Sequence, residues 1–303
     1  MRAQQVDVGS RSIVETVESL RPGQYIWAPQ VAPGGPMLLV VNLKTQRSVL
    51  FRNGVPIGAS TVSTGRPGYE TPTGVFTILQ KHVEHYSSKY DNAPMPYMER
   101  LTWYGVALHA GHLPGFPASH GCIRMPAGFA KLLYGVTKLG MTVIITANPA
   151  TPRVAPRPDI VALAEPLPPG TVGTFDWHPE RSPKGPVSIV VSVADRRAIV
   201  IRNGMIIGSG PVTVDGPVDG TWAYMLRSTD ALGRHWQRIA LSSSEAADQP
   251  VAKEEWQRFH APEPFRRAVA AILESGATVV VTSDSLGSGS TAKPVAVIEG
   301  PDR

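Results

Sequence analysis

The chain has 303 residues, 42% of them hydrophobic and 17% charged, which excludes a disordered or fibrous protein and makes two domains the expectation. Its 29 Gly and 29 Pro point to many turns and little long helix, hence a β-rich fold. A net charge of +5 suits acidic surroundings, yet no dense Lys/Arg run with interleaved aromatics is present, so nucleic acid is not an expected partner.

The opening MRAQQVDVGS lacks the charged-then-apolar pattern of a secretory leader, and residues 1–22 read as an N-terminal extension. No apolar run approaches the roughly 20 residues that span a bilayer, so no transmembrane segment is expected. From Gln24 the chain reads apolar strand, polar turn, apolar strand, then Arg52-Asn53-Gly54, the signature of consecutive β-hairpins. Thr71-Pro72-Thr73-Gly74 reads as a turn, and after Met125-Pro126 a short amphipathic helix around Phe129 to Tyr134 leads through Gly140 into the closing strand TVIIT. The stretch PATPRVAPRPDIVALAEPLPPG, within 149–170, reads as an extended Pro/Ala-rich linker.

After the linker the pattern starts again. The segment from Thr174 aligns without a gap on the segment from Gln24: Trp177 on Trp27, Pro179 on Pro29, Gly185-Pro186 on Gly35-Pro36, Arg202-Asn203-Gly204 on Arg52-Asn53-Gly54. The match resumes at Ala261-Pro262, with a helix around Phe265 to Leu273 and the closing strand to Thr282. The expectation is a duplicated, mainly β architecture: a first domain at 23–148, a degenerate repeat at 171–284, and a disordered tail at 285–303.

The two copies differ at LHAGHLPGFPASHGCIRMP, Leu108 to Pro126, which only the first contains; the second has Trp256, Gln257 and Arg258 where the first has His120, Gly121 and Cys122. Cys122 is the chain's single cysteine, which excludes an internal disulfide. A cysteine becomes a nucleophile when a base or positive charge acts on its thiol. Here His109, His112 and His120 surround it in sequence. Gly121 leaves nearby backbone N–H groups open to a developing oxyanion, and Arg124 falls on the same side as Cys122 in an extended chain. The competing readings are a buried small hydrophobe and a metal site built on the close pairs His82/His85 and His109/His112.

Ser119-His120-Gly121-Cys122-Ile123-Arg124-Met125 with upstream His109 resembles the signature of the L,D-transpeptidase catalytic (YkuD) domain family. The likeness extends to Ser63–Ile78, to Asn92–His109 and to the helix-strand close, about Tyr25 to Asn148 in all. The resemblance implies a mainly β, sandwich-type fold with a short helix. It also implies a thiol that attacks the L-to-D amide of a peptidoglycan stem tetrapeptide, expels the terminal D-amino acid, and passes the acyl group to an amine of a second stem or of a lipoprotein. Carried over, Cys122 is the nucleophile, His109 the base, and His120 and Gly121 shape the site with oxyanion donors near Gly121 and Cys122. Ser119 and Arg124 hold the turn, and Met95, Tyr97, Trp103 and Tyr104 lie in or near a substrate flap. The run His109-Ala110-Gly111-His112 departs from the family's usual His-Gly, which makes His112 the alternative base. No cofactor and no metal are implied, and the compartment is the periplasm or cell wall. Two other functions compete: an amidase or carboxypeptidase using the same site with water as acceptor, and a non-catalytic wall-binding protein, which suits the second copy but leaves the first copy's Cys/His cluster without a purpose.

Overall fold

The computed structural model describes residues 4–5, 13–87, 92–147, 153–154, 175–203, 205–218, 221–231, 233–240 and 257–283. Most of the Pro/Ala-rich linker, the tail from 285, Gly204 and Trp256 lie outside the described residues. The chain divides into two compact units, Met1–Thr151 and Pro152–Arg303.

The first unit runs β1 (Gln4–Gln5), α1 (Ile13–Val17), β2 (Gln24–Trp27), β3 (Met37–Asn42), β4 (Arg47–Arg52), β5 (Val55–Thr61), β6 (Gly74–Thr77), β7 (Gln80–His82), β8 (Met98–Arg100), β9 (Ala107–Ala110), β10 (Ile123–Met125), α2 (Ala127–Val136) and β11 (Thr142–Thr146). Two sheets result, ordered β1-β2-β5-β4-β3-β11-β6 and β10-β9-β8-β7. The run Leu38-Leu39-Val40-Val41 is wholly buried, as a strand covered on both faces must be, and β3 lies inside the large sheet between β4 and β11. Asn53 and Gly54 both have positive φ (51° and 73°), the geometry a two-residue hairpin needs to follow the twist of its strands, and they join β4 to β5. The segment before residue 23 joins this unit: β1 pairs with β2, and the Arg47 guanidinium donates to the carbonyls of Val17 and Leu20.

Helix α2 starts directly after Pro126, which cannot continue a strand ladder, and buries Phe129, Ala130 and Leu133. Its C-terminal carbonyls are satisfied by Lys81, whose Nζ donates to Tyr134 O and Thr137 O at 2.7 Å each, a cation on the negative end of the helix. The buried Glu99 accepts from Thr137 Oγ1 and lies 3.5 Å from the same ammonium, so helix and small sheet share one polar network. Burial raises the Glu99 pKa, against the lowering effects of Thr137 and Lys81.

The second unit runs β12 (Arg153–Val154), β13 (Asp176–Trp177), β14 (Val187–Ser192), β15 (Arg197–Arg202), β16 (Met205–Pro211), β17 (Thr213–Val214), β18 (Thr221–Asp230), β19 (Gly233–Ala240), β20 (Phe259–His260), α3 (Glu263–Ala271) and β21 (Thr278–Thr282). Its path β13-β16-β15-β14-β21-β18 follows β2-β5-β4-β3-β11-β6 strand for strand, including the parallel pairs β3/β11 and β14/β21. Register agrees as well: Met37 opposes Arg52 as Val187 opposes Arg202, and the bulge at Leu50/Phe51 recurs at Val200/Ile201. Phe265 of α3 packs on Phe175 and Trp177 as Phe129 of α2 packs on Tyr25 and Trp27. The units diverge between β16 and α3, where the second has the long β18–β19 hairpin.

Candidate active site

Strands β9 and β10 are parallel, with Leu108 beside Ile123, His109 beside Arg124 and Ala110 beside Met125. Side chains alternate along each strand, so Leu108, Ile123 and Met125 enter the apolar core while His109 and Arg124 share the other face. Cys122 precedes Arg124 by two residues and faces the same way. These three, with Met95, Gly105 and His112, line a cavity of about 560 Å³.

The turn before Cys122 is held from within. Ser119 Oγ donates to Cys122 O (2.5 Å) and accepts from Gly121 N (3.1 Å); Thr71 Oγ1 donates to Gly121 O (2.9 Å) and accepts from Gly65 N (2.8 Å). Gly121 has φ of 104°, a conformation that side chains rarely adopt. At Gly65 a Cβ would fall 2.0 Å from Tyr69 O, so only glycine lets the 65–71 loop close. Thr71, expected only as part of a turn, therefore anchors the turn before Cys122 itself. The Gly121 N–H, expected to face an oxyanion, is instead directed inward onto Ser119 Oγ.

His109 is buried, and its Nδ1 lies 2.8 Å from Ala110 O. A carbonyl only accepts, so Nδ1 carries the hydrogen and Nε2 keeps the lone pair. Burial, then the positive charges of Arg124 and His85, lower the His109 pKa to about 4, against the raising effect of the Ala110 hydrogen bond. The Cys122 thiol donates to Gly105 O at 3.3 Å. Burial pushes its pKa up, more than the Ala107 backbone, Arg124 and Arg100 pull it down. Thiol and imidazole are thus both neutral at pH 7 in the free protein. Desolvation outweighs the neighbouring positive charges at the thiol.

The other histidines stand further out. His120 Nε2 accepts from Arg66 Nη2 at 2.8 Å, and its ring meets Tyr69 edge-on at 4.7 Å. Its pKa is lowered by desolvation, then by Arg66 and Arg124. His112 is exposed on the cavity wall. His82 and His85 stack on each other at 5.8 Å, and no group of three or more metal-binding side chains occurs among the described residues.

The expected flap is a hairpin-like loop closed by Tyr97 N to Val83 O and Met95 N to His85 O, both 2.8 Å, and tied to β9 by Ala110 N to Pro96 O. Met95 packs with Met98 and Ala107 against Cys122. Tyr97, at φ of 55°, turns to the core and Tyr134. Trp103 and Tyr104 are exposed in the turn ahead of Gly105. Sequence reasoning missed Gly105 as the thiol's acceptor, since a backbone carbonyl leaves no trace in the sequence. It also missed Arg66, whose link to His120 crosses 54 positions.

The second unit fills the equivalent place differently. The Ser63–Arg124 bridge recurs as Thr213 opposite His260, which sets Arg258 where Cys122 stands. Its Nε and Nη2 donate to Asp215 O (2.6 Å) and Pro217 O (2.5 Å).

A strand-rich domain with a cysteine and a tautomer-locked histidine on one face of a cleft has the parts of a thiol acyltransferase. Residues 36–145 match the family model for the L,D-transpeptidase catalytic domain, YkuD. Among solved structures, the chain is similar to an L,D-transpeptidase from Stackebrandtia nassauensis, with 30% identity over 39% of this chain and 58% of that one and a TM-score of 0.35. It is also similar to an L,D-transpeptidase from Mycobacterium tuberculosis H37Rv, with 26% identity over 37% of this chain and 58% of that one and a TM-score of 0.36. The chain therefore spans less than two thirds of either. No curated protein matches it significantly.

The buried imidazole makes stability depend on acid. The unfolded chain protonates His109 below about 6.5, the folded one only below about 4. Folding stability from this group is therefore full at neutral pH and falls as pH drops from 6.5 to 4, by ~3 kcal/mol in all. Urea unfolding at pH 7 and pH 4 should show a smaller difference in His109→Gln than in the wild type by about that amount; an unchanged difference refutes the assignment.

Proposed function

We propose that the protein is a peptidoglycan L,D-transpeptidase in which Cys122 is the nucleophile and His109 the base. Cys122 Sγ attacks the carbonyl carbon of the L-to-D amide of a stem tetrapeptide as its proton passes to His109 Nε2. The C–N bond then breaks, the departing D-residue takes that proton as an amine, and the stem remains as a thioester. An amine of a second stem, or of a lipoprotein, attacks the thioester carbon; its proton returns through His109 to sulfur as the C–S bond breaks. The step needs no cofactor, because thiol and imidazole supply nucleophile and proton transfer.

The observation that carries this reading is the shared face of β9 and β10: His109 and Cys122 line one cavity, and the hydrogen bond of Nδ1 to Ala110 O reserves Nε2 for the proton. On this reading the compartment is the periplasm or cell wall, where the stems are. On this reading 23–148 is the catalytic part and 171–284 a non-catalytic copy, a division supported by the recurrence of strand order and by Arg258 at the cysteine's position.

The test is mass spectrometry of the products from purified disaccharide-tetrapeptide. Loss of the terminal D-residue with a dimeric cross-linked product is expected. Loss with only the free tripeptide acid identifies water as the acceptor and a carboxypeptidase. A carbapenem, a strained amide in place of the stem, should leave one covalent adduct on the wild type and none on Cys122→Ala; equal adducts on both misassign the nucleophile.

A further inference from the structure

Of the described side chains lining the cavity, Arg124 alone carries a permanent charge, and none is a carboxylate. Among the described residues Arg124 forms no ion pair. Its backbone is pinned to Ser63 in both directions at 3.0 Å, so the residue cannot swing away with its strand. Its stem crosses Gly111, where an added Cβ would meet Arg124 Cγ, Cδ and Cβ at 3.0–3.2 Å; the missing side chain of Gly111 is the cradle in which that stem lies. The positive charge is felt at His109, His120 and Cys122 alike. A cation on the wall of a cleft whose described lining holds no carboxylate is completed by an anion of the substrate.

We propose that Arg124 is a specificity residue that binds the free carboxylate of the residue expelled from the scissile amide. The inference rests on the transpeptidase reading above and adds to it the feature that selects the donor. Arg124 follows Cys122 by two positions in extended chain, roughly 6.6 Å along the strand, and both side chains line the one cavity. A carboxylate one residue beyond the attacked carbonyl falls within this span. A stem extended by a further residue, or ending in an amide, offers no anion there. The guanidinium suits the task because its planar fork grips both carboxylate oxygens at once.

The experiment compares release of the terminal residue from two probes, the disaccharide-tetrapeptide with a free C-terminal carboxylate and the same molecule as its C-terminal amide. The wild type should favour the carboxylate in kcat/KM by roughly ten- to a hundredfold, the range of a charge-assisted hydrogen-bonded pair. Arg124→Gln should bring that ratio near one, and Arg124→Lys, a point charge without the fork, should keep part of it. Gly111→Ala leaves the arginine in place but crowds its stem, and should lower the ratio too. Equal use of the two probes by the wild type, or a ratio unchanged in Arg124→Gln, overturns the proposal. Release from neither probe overturns the transpeptidase reading itself, so the two failures are distinguishable.

Discussion

Cys122→Ser should lower turnover of tetrapeptide stems on the order of 10⁴-fold or more. The reason lies in the resting protonation of the pair. His109, with a pKa lowered to about 4, is a weak acceptor, and burial makes the Cys122 thiol a weaker acid than usual. Moving the proton between them is already uphill. A serine hydroxyl is a far weaker acid than a thiol, and each further pKa unit adds about 1.4 kcal/mol. Sulfur tolerates the mismatch because it is a strong nucleophile even with little charge, whereas oxygen is not. The fold should be untouched, since a serine hydroxyl can keep the bond to Gly105 O that the thiol makes. Release of the terminal D-residue, measured beside an unchanged melting temperature, checks this. A serine variant within tenfold of the wild type would falsify the assignment of the thiol as nucleophile.

The second large effect is on stability. Phe129→Ala should cost about 3–5 kcal/mol, a large part of the 5–15 kcal/mol typical of a domain. Phe129 is wholly buried on α2, 5.9 Å from the Tyr25 ring and 5.8 Å from that of Trp27, which it meets edge-on. Truncation leaves a cavity that this close-packed group cannot close without moving β2 or the helix. Since Pro126 alone separates β10 from α2, a loosened helix also loosens the strand that follows Cys122. The single cysteine gives a selective probe, because pulse alkylation of Cys122 along a urea titration reports unfolding of the first unit only. Phe129→Ala should shift that transition strongly. Phe265→Ala, which removes the corresponding ring from Phe175 and Trp177, should leave it where it is. A Phe129→Ala shift worth less than about 1 kcal/mol sinks the packing argument, being below the range for such truncations.

Much of this molecule was legible from the order of its residues. Hairpins could be read because Asn53-Gly54 has no cheaper use than a tight turn, and the apolar runs around it have strand length. The repeat could be read because related sheets keep their core positions, as the shared register of β3/β4 and β14/β15 reflects. Helix α2 extends further than the stretch around Phe129 to Tyr134, because its first turn is fixed by the chain's exit from Pro126 and its last by Lys81 of β7, distant in sequence. Candidates for nucleophile and base, and Arg124 beside them, could also be named from the sequence, since chemistry restricts such work to a few residue types. Their state could not. That Cys122 and His109 rest neutral follows from desolvation, which depends on everything packed around them and on no single neighbour in the sequence. The same holds for the inward Gly121 N–H, Thr71 as anchor of the turn, and Gly111 as the cradle of Arg124. Residue identity sets what a group can do; whether it does so is decided by distances of a few ångströms between segments tens of positions apart, which only the folded chain determines.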